Sequence, residues 1–202
     1  MRTAVVLAGG KSSRIGVDKG LAMLNEKPLV AHVVNRLESV VDEVILVVGS
    51  QAQVGAYRGF GTRVVRDSIP GSTPLVGAYT GFLEASGEYT ILIGVDQPLL
   101  NPQVVELLFK EAEGHDAATP TWANGWVEPL HAVYKTKPSA AVVLRLLETG
   151  EKKLGMIIRT LCDVVHIPID KVKALDPELL TFMDIDNPED LEKIRQLLAK
   201  NG

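Results

Sequence analysis

Over residues 3–113, short β-branched apolar runs alternate with longer stretches of helical spacing, and this alternation restricts the fold more than any other feature. The runs at 3–7, 44–48, 62–65 and 89–95 read as strands. The stretches at 28–40, 51–57, 75–85 and 102–113 read as helices. In the first of these, Leu29, Val30, Val33, Val34 and Leu37 fall on one face, and Pro28 suits the first helical position. The run at 89–95 is apolar almost throughout, which predicts a strand buried on both faces. A repeated strand–helix unit implies a parallel sheet with right-handed crossovers.

The remainder is less regular. Residues 116–121 and 129–134 read as strands, with a polar turn at Ala123-Asn124-Gly125-Trp126 between them. Helices are expected at 137–147 and 154–161, and a strand at 164–169. A last amphipathic helix opens at Asn187-Pro188-Glu189-Asp190, with Asn187 as N-cap, Pro188 at the first position and Asp190 in the first turn. Leu191, Ile194, Leu197 and Leu198 form its apolar face. With no repeat, low-complexity tract or linker, the 202 residues are expected to form one domain, 1–202.

Several function classes recede at this point. Twenty-one basic and 25 acidic residues give a net charge of −4, no basis for a general nucleic-acid or membrane-surface binder. The first ten residues carry too short an apolar run for a signal peptide, and no run approaches the roughly 20 residues of a membrane span. Cys162 is the one cysteine, which fits a reducing cytosol. It follows an apolar stretch and is expected to be a buried small hydrophobe.

Residues 7–19 carry the strongest chemical signal. A buried strand runs into Gly9-Gly10, then small polar residues, then Arg14 and Lys19. Glycines allow backbone N–H groups close approach to a ligand, and successive N–H groups make an anion-binding concavity. Two fixed cations would suit a polyphosphate. The string is neither of the common dinucleotide and P-loop patterns. Asp96, at the end of the buried 89–95 strand, lies where open parallel sheets bind ligands, and a carboxylate there can hold Mg²⁺. Asp67 also closes a strand and can be either a site residue or a turn aspartate bonding its own backbone. Asp184-Ile185-Asp186 could be a second acidic patch, but read alone it is a solvated strand end. The four histidines show no metal-ligand spacing, and His131 reads as a core or rim histidine. Trp122 and Trp126 flank a turn without the basic stripe that stacks a nucleic acid.

Taken together, these residues resemble the molybdenum cofactor guanylyltransferase family. The resemblance runs through residues 7–21, Asp67, Pro74-Leu75 with Gly77, Asp96-Gln97-Pro98, Pro129-Leu130-His131-Ala132 and residues 182–191. It implies an α/β fold, a Rossmann-like three-layer sandwich with a mostly parallel central sheet. It implies transfer of GMP from GTP to the phosphate of molybdopterin, with Mg²⁺ and release of pyrophosphate. By the resemblance, Leu7, Ala8, Gly9, Lys19, Asp67 and Asp96 bind GTP, Asp96 carries the metal, and Arg14, Lys19 and Asp96 serve catalysis. Transient contacts with proteins that make or accept the cofactor follow from the same likeness. Gly9, where cytidylyl-transferring relatives commonly have alanine, is expected to favour the larger guanine. Two departures stand out. Gly49-Ser50-Gln51 occupies a place where members often have asparagine, and Asp184-Ile185-Asp186 one where some read Asn-x-Asn. A cytidylyl- or sugar-phosphate-directed transferase, or a non-catalytic nucleotide-binding module, therefore stays open at this level.

Overall fold

The structure is a computed structural model that describes residues 1–9, 18–60, 62–69 and 73–200. In chain order the elements begin with β1 (Arg2–Leu7), a 3₁₀ turn (Lys19–Leu21), a small hairpin of β2 (Met23–Leu24) and β3 (Lys27–Pro28), and α1 (Leu29–Leu37). Next come β4 (Glu43–Val48), α2 (Gln51–Tyr57), β5 (Arg63–Arg66), α3 (Pro74–Glu84), β6 (Tyr89–Gly94) and α4 (Pro102–Ala112). The chain continues through β7 (Ala117–Thr121), β8 (His131–Lys135), α5 (Thr136–Glu148), α6 (Met156–Thr160), β9 (Val164–Pro168) and α7 (Ile169–Lys173). It closes with a 3₁₀ turn (Leu180–Phe182) and α8 (Pro188–Lys200).

Seven strands form one sheet in the order β5-β4-β1-β6-β8-β7-β9. β5, β4, β1 and β6 are mutually parallel, β8 runs antiparallel to both neighbours, and β7 pairs parallel with β9. The chain lays β4 and β5 on one side of β1 and then returns to place β6 on the other. That reversal opens a crevice between the carboxyl ends of β1 and β6, the general ligand position in such sheets.

Successive side chains of a strand face opposite ways, so one sheet can feed two cores. Ala4, Val6, Leu46, Ile91 and Ile93 pack under α1 and α4 on one face. Val5, Ile45, Val47 and Leu92 pack under α3, α5 and α6 on the other. These helices on both faces give the three-layer, Rossmann-like α/β architecture. The double-sided burial expected of the 89–95 run is present: Ile91, Leu92 and Ile93 are all 0% exposed. Burying such a side chain contributes about 1.5–3 kcal/mol, so this strand is a principal anchor of the sheet.

Helix starts follow the local chemistry. Asn101 caps α4 by accepting from Gln103 N at 2.9 Å, with Pro102 next. Asn187 Oδ1 accepts from Asp190 N at 3.0 Å while Asp190 Oδ2 accepts from Asn187 N at 3.1 Å, a reciprocal cap that begins α8 where expected. Two expectations are corrected. Pro28 precedes α1 instead of opening it, because it pairs in the β2–β3 hairpin with extended backbone (φ −68°, ψ 153°). Cys162 is exposed, because α6 ends at Thr160 and the thiol falls in the bend before β9. No helix among the described residues is long and apolar enough to cross a membrane.

Candidate functional site

α8 does more than close the fold. Ile194 and Ile185 bury with Ala22, Leu24, Leu29 and Leu99, which seats the C-terminal segment on the hairpin that follows β1. Ile185 N donates to Asp96 O at 3.0 Å. The acidic segment 184–186, read from sequence as a solvated strand end, is thereby brought to the end of β6. It is irregular backbone, anchored by Ile185 at 0% exposure.

Lys19 stands at the centre of this meeting. Its Nζ donates to Asp96 Oδ2 at 2.6 Å and to Asp186 Oδ1 at 2.8 Å. The Lys19 side chain is only 15% exposed. Burial would lower its pKa, but the hydrogen bonds and charges of Asp186 and Asp96 outweigh that and raise it, so the ammonium stays charged. Asp184 is on the surface, yet the surrounding protein, then the charges of Asp96 and Asp186, push its carboxyl up to about 6, against a hydrogen bond from Gln97 and the charge of Lys19. Three carboxylates thus crowd one cation.

Lys19 is itself held. Asp18 accepts from Gly20 N at 3.2 Å, from Gln53 Nε2 at 2.7 Å and from the buried Tyr57 hydroxyl. This ties the Lys19 turn to α2. Gly20 is required there, since a Cβ would lie 2.3 Å from the Tyr57 hydroxyl and 2.8 Å from Val95 Cγ2.

Asp96 Oδ2 and Asp186 Oδ1 both face Lys19 Nζ, which brings the two carboxylates close enough to share a cation. Among the described residues no group of three or more His, Cys, Asp or Glu could enclose a metal. Two carboxylates suit Mg²⁺, which keeps waters and substrate phosphates in its shell.

The β1–β4–β5 side of the crevice differs. Ala8 N donates to Val47 O at 2.8 Å, which carries β1 pairing to its end at Gly9. A Cβ on Gly9 would sit 2.9 Å from Gly49 N, so this glycine is needed for the close approach of two backbones. Asp67, just past β5, is fixed by its N–H to Val48 O at 2.9 Å. Its Oδ1 is buried with no hydrogen-bond partner among the described residues, and burial pushes its carboxyl up to about 6.

Behind β6 lies a buried polar chain that sequence reading missed. Asn101 N donates to Thr181 Oγ1 at 3.0 Å, and that hydroxyl lies 2.9 Å from His131 Nε2. His131 Nδ1 is 3.2 Å from Gln97 Oε1, which also accepts from Gly94 N at 3.2 Å. Gln97 Oε1 can only accept, so Nδ1 carries the proton and Nε2 accepts from Thr181. Burial drives the His131 pKa down to about 3, which keeps it neutral. This histidine, 0% exposed, supports the β6 end and the Gln97 amide that faces Asp184.

Of the residues singled out from sequence, Lys19 and Asp96 meet directly. Leu7, Ala8, Gly9 and Asp67 line the neighbouring strand ends, and Arg14 lies outside the described residues. Asp186, Asp184, Asp18 and Gln97 were not singled out as site residues. The Asp18-Lys19-Gly20, Asp96-Gln97-Pro98 and Asp-x-Asp strings were their local trace.

Residues 4–166 match the family model described as the MobA-like NTP transferase domain. A probable molybdenum cofactor guanylyltransferase from Methanosarcina mazei is 37% identical, over 96% of this chain and 89% of that protein. One of the same name from Natronomonas pharaonis is 36% identical over 98% of each chain. The crystal structure of molybdopterin-guanine dinucleotide biosynthesis protein A from Archaeoglobus fulgidus superposes with a TM-score of 0.86 at 28% identity, covering 99% of this chain and 100% of that one. The chain belongs to the MobA-like NTP transferase family.

Proposed function

From membership of that family we infer that the chain transfers GMP from GTP to the phosphate of molybdopterin, releasing pyrophosphate and giving the guanine dinucleotide form of the cofactor. The observation that carries the reading is the convergence of Lys19, Asp96 and Asp186 at the crevice between β1 and β6. It is joined by near full-length relatives that bear the guanylyltransferase name.

In this reaction an oxygen of the acceptor phosphate bonds to the α-phosphorus of GTP. The bond from that phosphorus to the α–β bridging oxygen breaks, and its electron pair leaves with pyrophosphate. Both reactants are anions, so the protein must align them and neutralise their charge. Asp96 and Asp186 would hold Mg²⁺, which supplies that neutralisation across the phosphates. Lys19, kept protonated by its two carboxylates, contributes a second positive charge within reach of the same phosphates. Arg14 and the N–H groups following Gly9 are assigned to the leaving pyrophosphate. Leu7, Ala8 and Gly9 bind the nucleotide, and the unpartnered Asp67 oxygen takes a hydrogen bond from an N–H or O–H of the nucleoside. Placement in the cytosol, and transient contact with proteins that make or accept the cofactor, belong to the same reading.

The test is a panel of the four NTPs with molybdopterin and Mg²⁺, following pyrophosphate and the dinucleotide product. GTP should be turned over best. Preference for CTP would replace the guanylyl assignment, and no turnover of any NTP would remove the transferase assignment altogether.

A further inference from the structure

β7 and β6 both run antiparallel to β8, so their carboxyl ends share one edge of the sheet. Ile93 pairs with His131, and Ala118 with Val133. Stepping that register forward sets Thr121 level with the end of β6. The turn after Thr121 therefore stands on the same edge as Asp96, two strands away, on the side opposite β1, β4, β5 and Asp67.

This turn is fixed at several points. Thr121 and Val127 form an isolated bridge, Trp122 N donates to Trp126 O at 2.8 Å, and Gly125 N donates to Trp122 O at 2.8 Å. Asn124 Oδ1 accepts from Trp126 N at 3.0 Å. Half-buried Glu128 accepts from Trp122 Nε1 at 2.7 Å, and burial, opposed by that bond, raises its carboxyl pKa. Trp126 is nevertheless 65% exposed. A large apolar residue whose own backbone N–H and C=O are both pinned in the turn while its rings face water is a prepared surface. Its turn neighbours Ala123, Asn124 and Gly125 are exposed and small, so it does not belong to an apolar protein-docking patch. The base of the turn is tied to the support of the β6 end: Trp122 lies 6.2 Å from Phe182, and Phe182 lies 5.1 Å from His131.

We propose that Trp126, set on its tight turn, is the stacking face for the flat heteroaromatic ring of the acceptor, a pterin. The proposal rests on the reading of molybdopterin as acceptor. Guanine offers a similar flat ring, but the nucleotide groups lie across Asp96 on the β1–β4–β5 side. Glu128 acts as a positioning residue, through the Trp122 indole at the base of the turn.

The experiment combines steady-state transfer with fluorescence titration. In transfer assays Trp126→Ala should raise KM for molybdopterin about tenfold or more, the range expected for losing one aromatic stack, with KM for GTP and the melting temperature unchanged. Trp126→Phe should recover most of the loss, and Glu128→Gln should raise the same KM by about threefold with kcat intact. In titrations with neopterin, a soluble pterin, wild-type tryptophan emission should be quenched saturably, and Trp126→Ala should abolish the saturable component. An unchanged KM for molybdopterin in Trp126→Ala overturns the proposal, as does a rise confined to KM for GTP, which would assign the ring to guanine. If Trp126→Ala weakens only binding to a protein partner, the surface is a docking site and the proposal again fails. Should wild type make no dinucleotide at all, the functional reading falls. The neopterin titration then decides the inference alone, and absence of saturable quenching sinks it.

Discussion

The two sides of the sheet edge treat their buried polar atoms differently. On the β1–β4–β5 side, Asp67 keeps a buried oxygen with no partner among the described residues. On the β8 side, Asn101, Thr181, His131 and Gln97 form a chain in which each polar side chain named has a partner. An unsatisfied buried carboxylate costs stability and persists where a ligand completes it, whereas a satisfied chain holds neighbours in place. In the function proposed above, the first side is the one that nucleotide would complete. The second is finished scaffolding for the carboxylates between them.

The largest effect should come from the group both sides share. Asp96→Asn should lower kcat by on the order of 10²-fold or more with little change in melting temperature. Near wild-type turnover at saturating Mg²⁺ would remove Asp96 from the metal.

Lys19→Ala comes next. It should cost about 10–10²-fold in kcat/KM and leave Asp96 and Asp186 facing each other without a cation. The variant should therefore gain more thermal stability from added Mg²⁺ than wild type does, since a ligand that binds only the folded state stabilises it. Melting curves in EDTA and in Mg²⁺ check this. Equal gains would mean that the carboxylates do not converge on a metal.

His131→Leu breaks the finished side. Gln97 and Thr181 each lose a partner, at about 1–3 kcal/mol apiece, so the melting temperature should fall by about 5–10 °C. The native His131 pKa of about 3 lies below the unfolded value, so its contribution is present above about pH 6.5 and lost as pH falls. Removing it should flatten the acid limb of the stability profile. An unchanged melting temperature would show that the polar chain supports nothing.

Asp67→Asn should give the smallest change in stability, with opposite sign. The native carboxyl, raised to about 6, lies above its unfolded value of 3.8. Wild type therefore loses stability as pH rises through that window, and the variant does not. Because the group is only half-buried and solvent screens it, the gain at pH 7 should be about 1 kcal/mol, or about 2–4 °C. The same variant should bind GTP more weakly. Isothermal titration with GTP and melting curves from pH 4 to 7 measure both. A less stable variant would mean that Asp67 has a partner when ionised.

Gly9 illustrates how a local pattern can be read correctly in place and too narrowly in purpose. The glycine pair after the first strand announces close approach, but Gly9 already meets the Gly49 backbone within the protein. Substitution there tests strand-end packing before it tests base choice. His131 shows the converse. Its alternation with Leu130 and Ala132 gave the burial, but its partners Gln97 and Thr181 lie 34 and 50 residues away. No local spacing encodes those pairings.

Sequence by itself determined the strand–helix alternation, the helix cap at Asn187, the place of Asp96 at the end of an apolar run and that of Lys19 after the glycine-containing loop. These follow from side-chain periodicity and capping, which act over a few residues. Only the tertiary structure decided that β8 would enter antiparallel beside β6, and that α8 would bury Ile185 and draw Asp186 onto Lys19. Whether an Asp-x-Asp pair is solvated or becomes half of a cation site depends on what its intervening residue packs against. That contact joins segments more than eighty residues apart, because Ile185 N bonds Asp96 O, and it exists only once the hydrophobic core has closed.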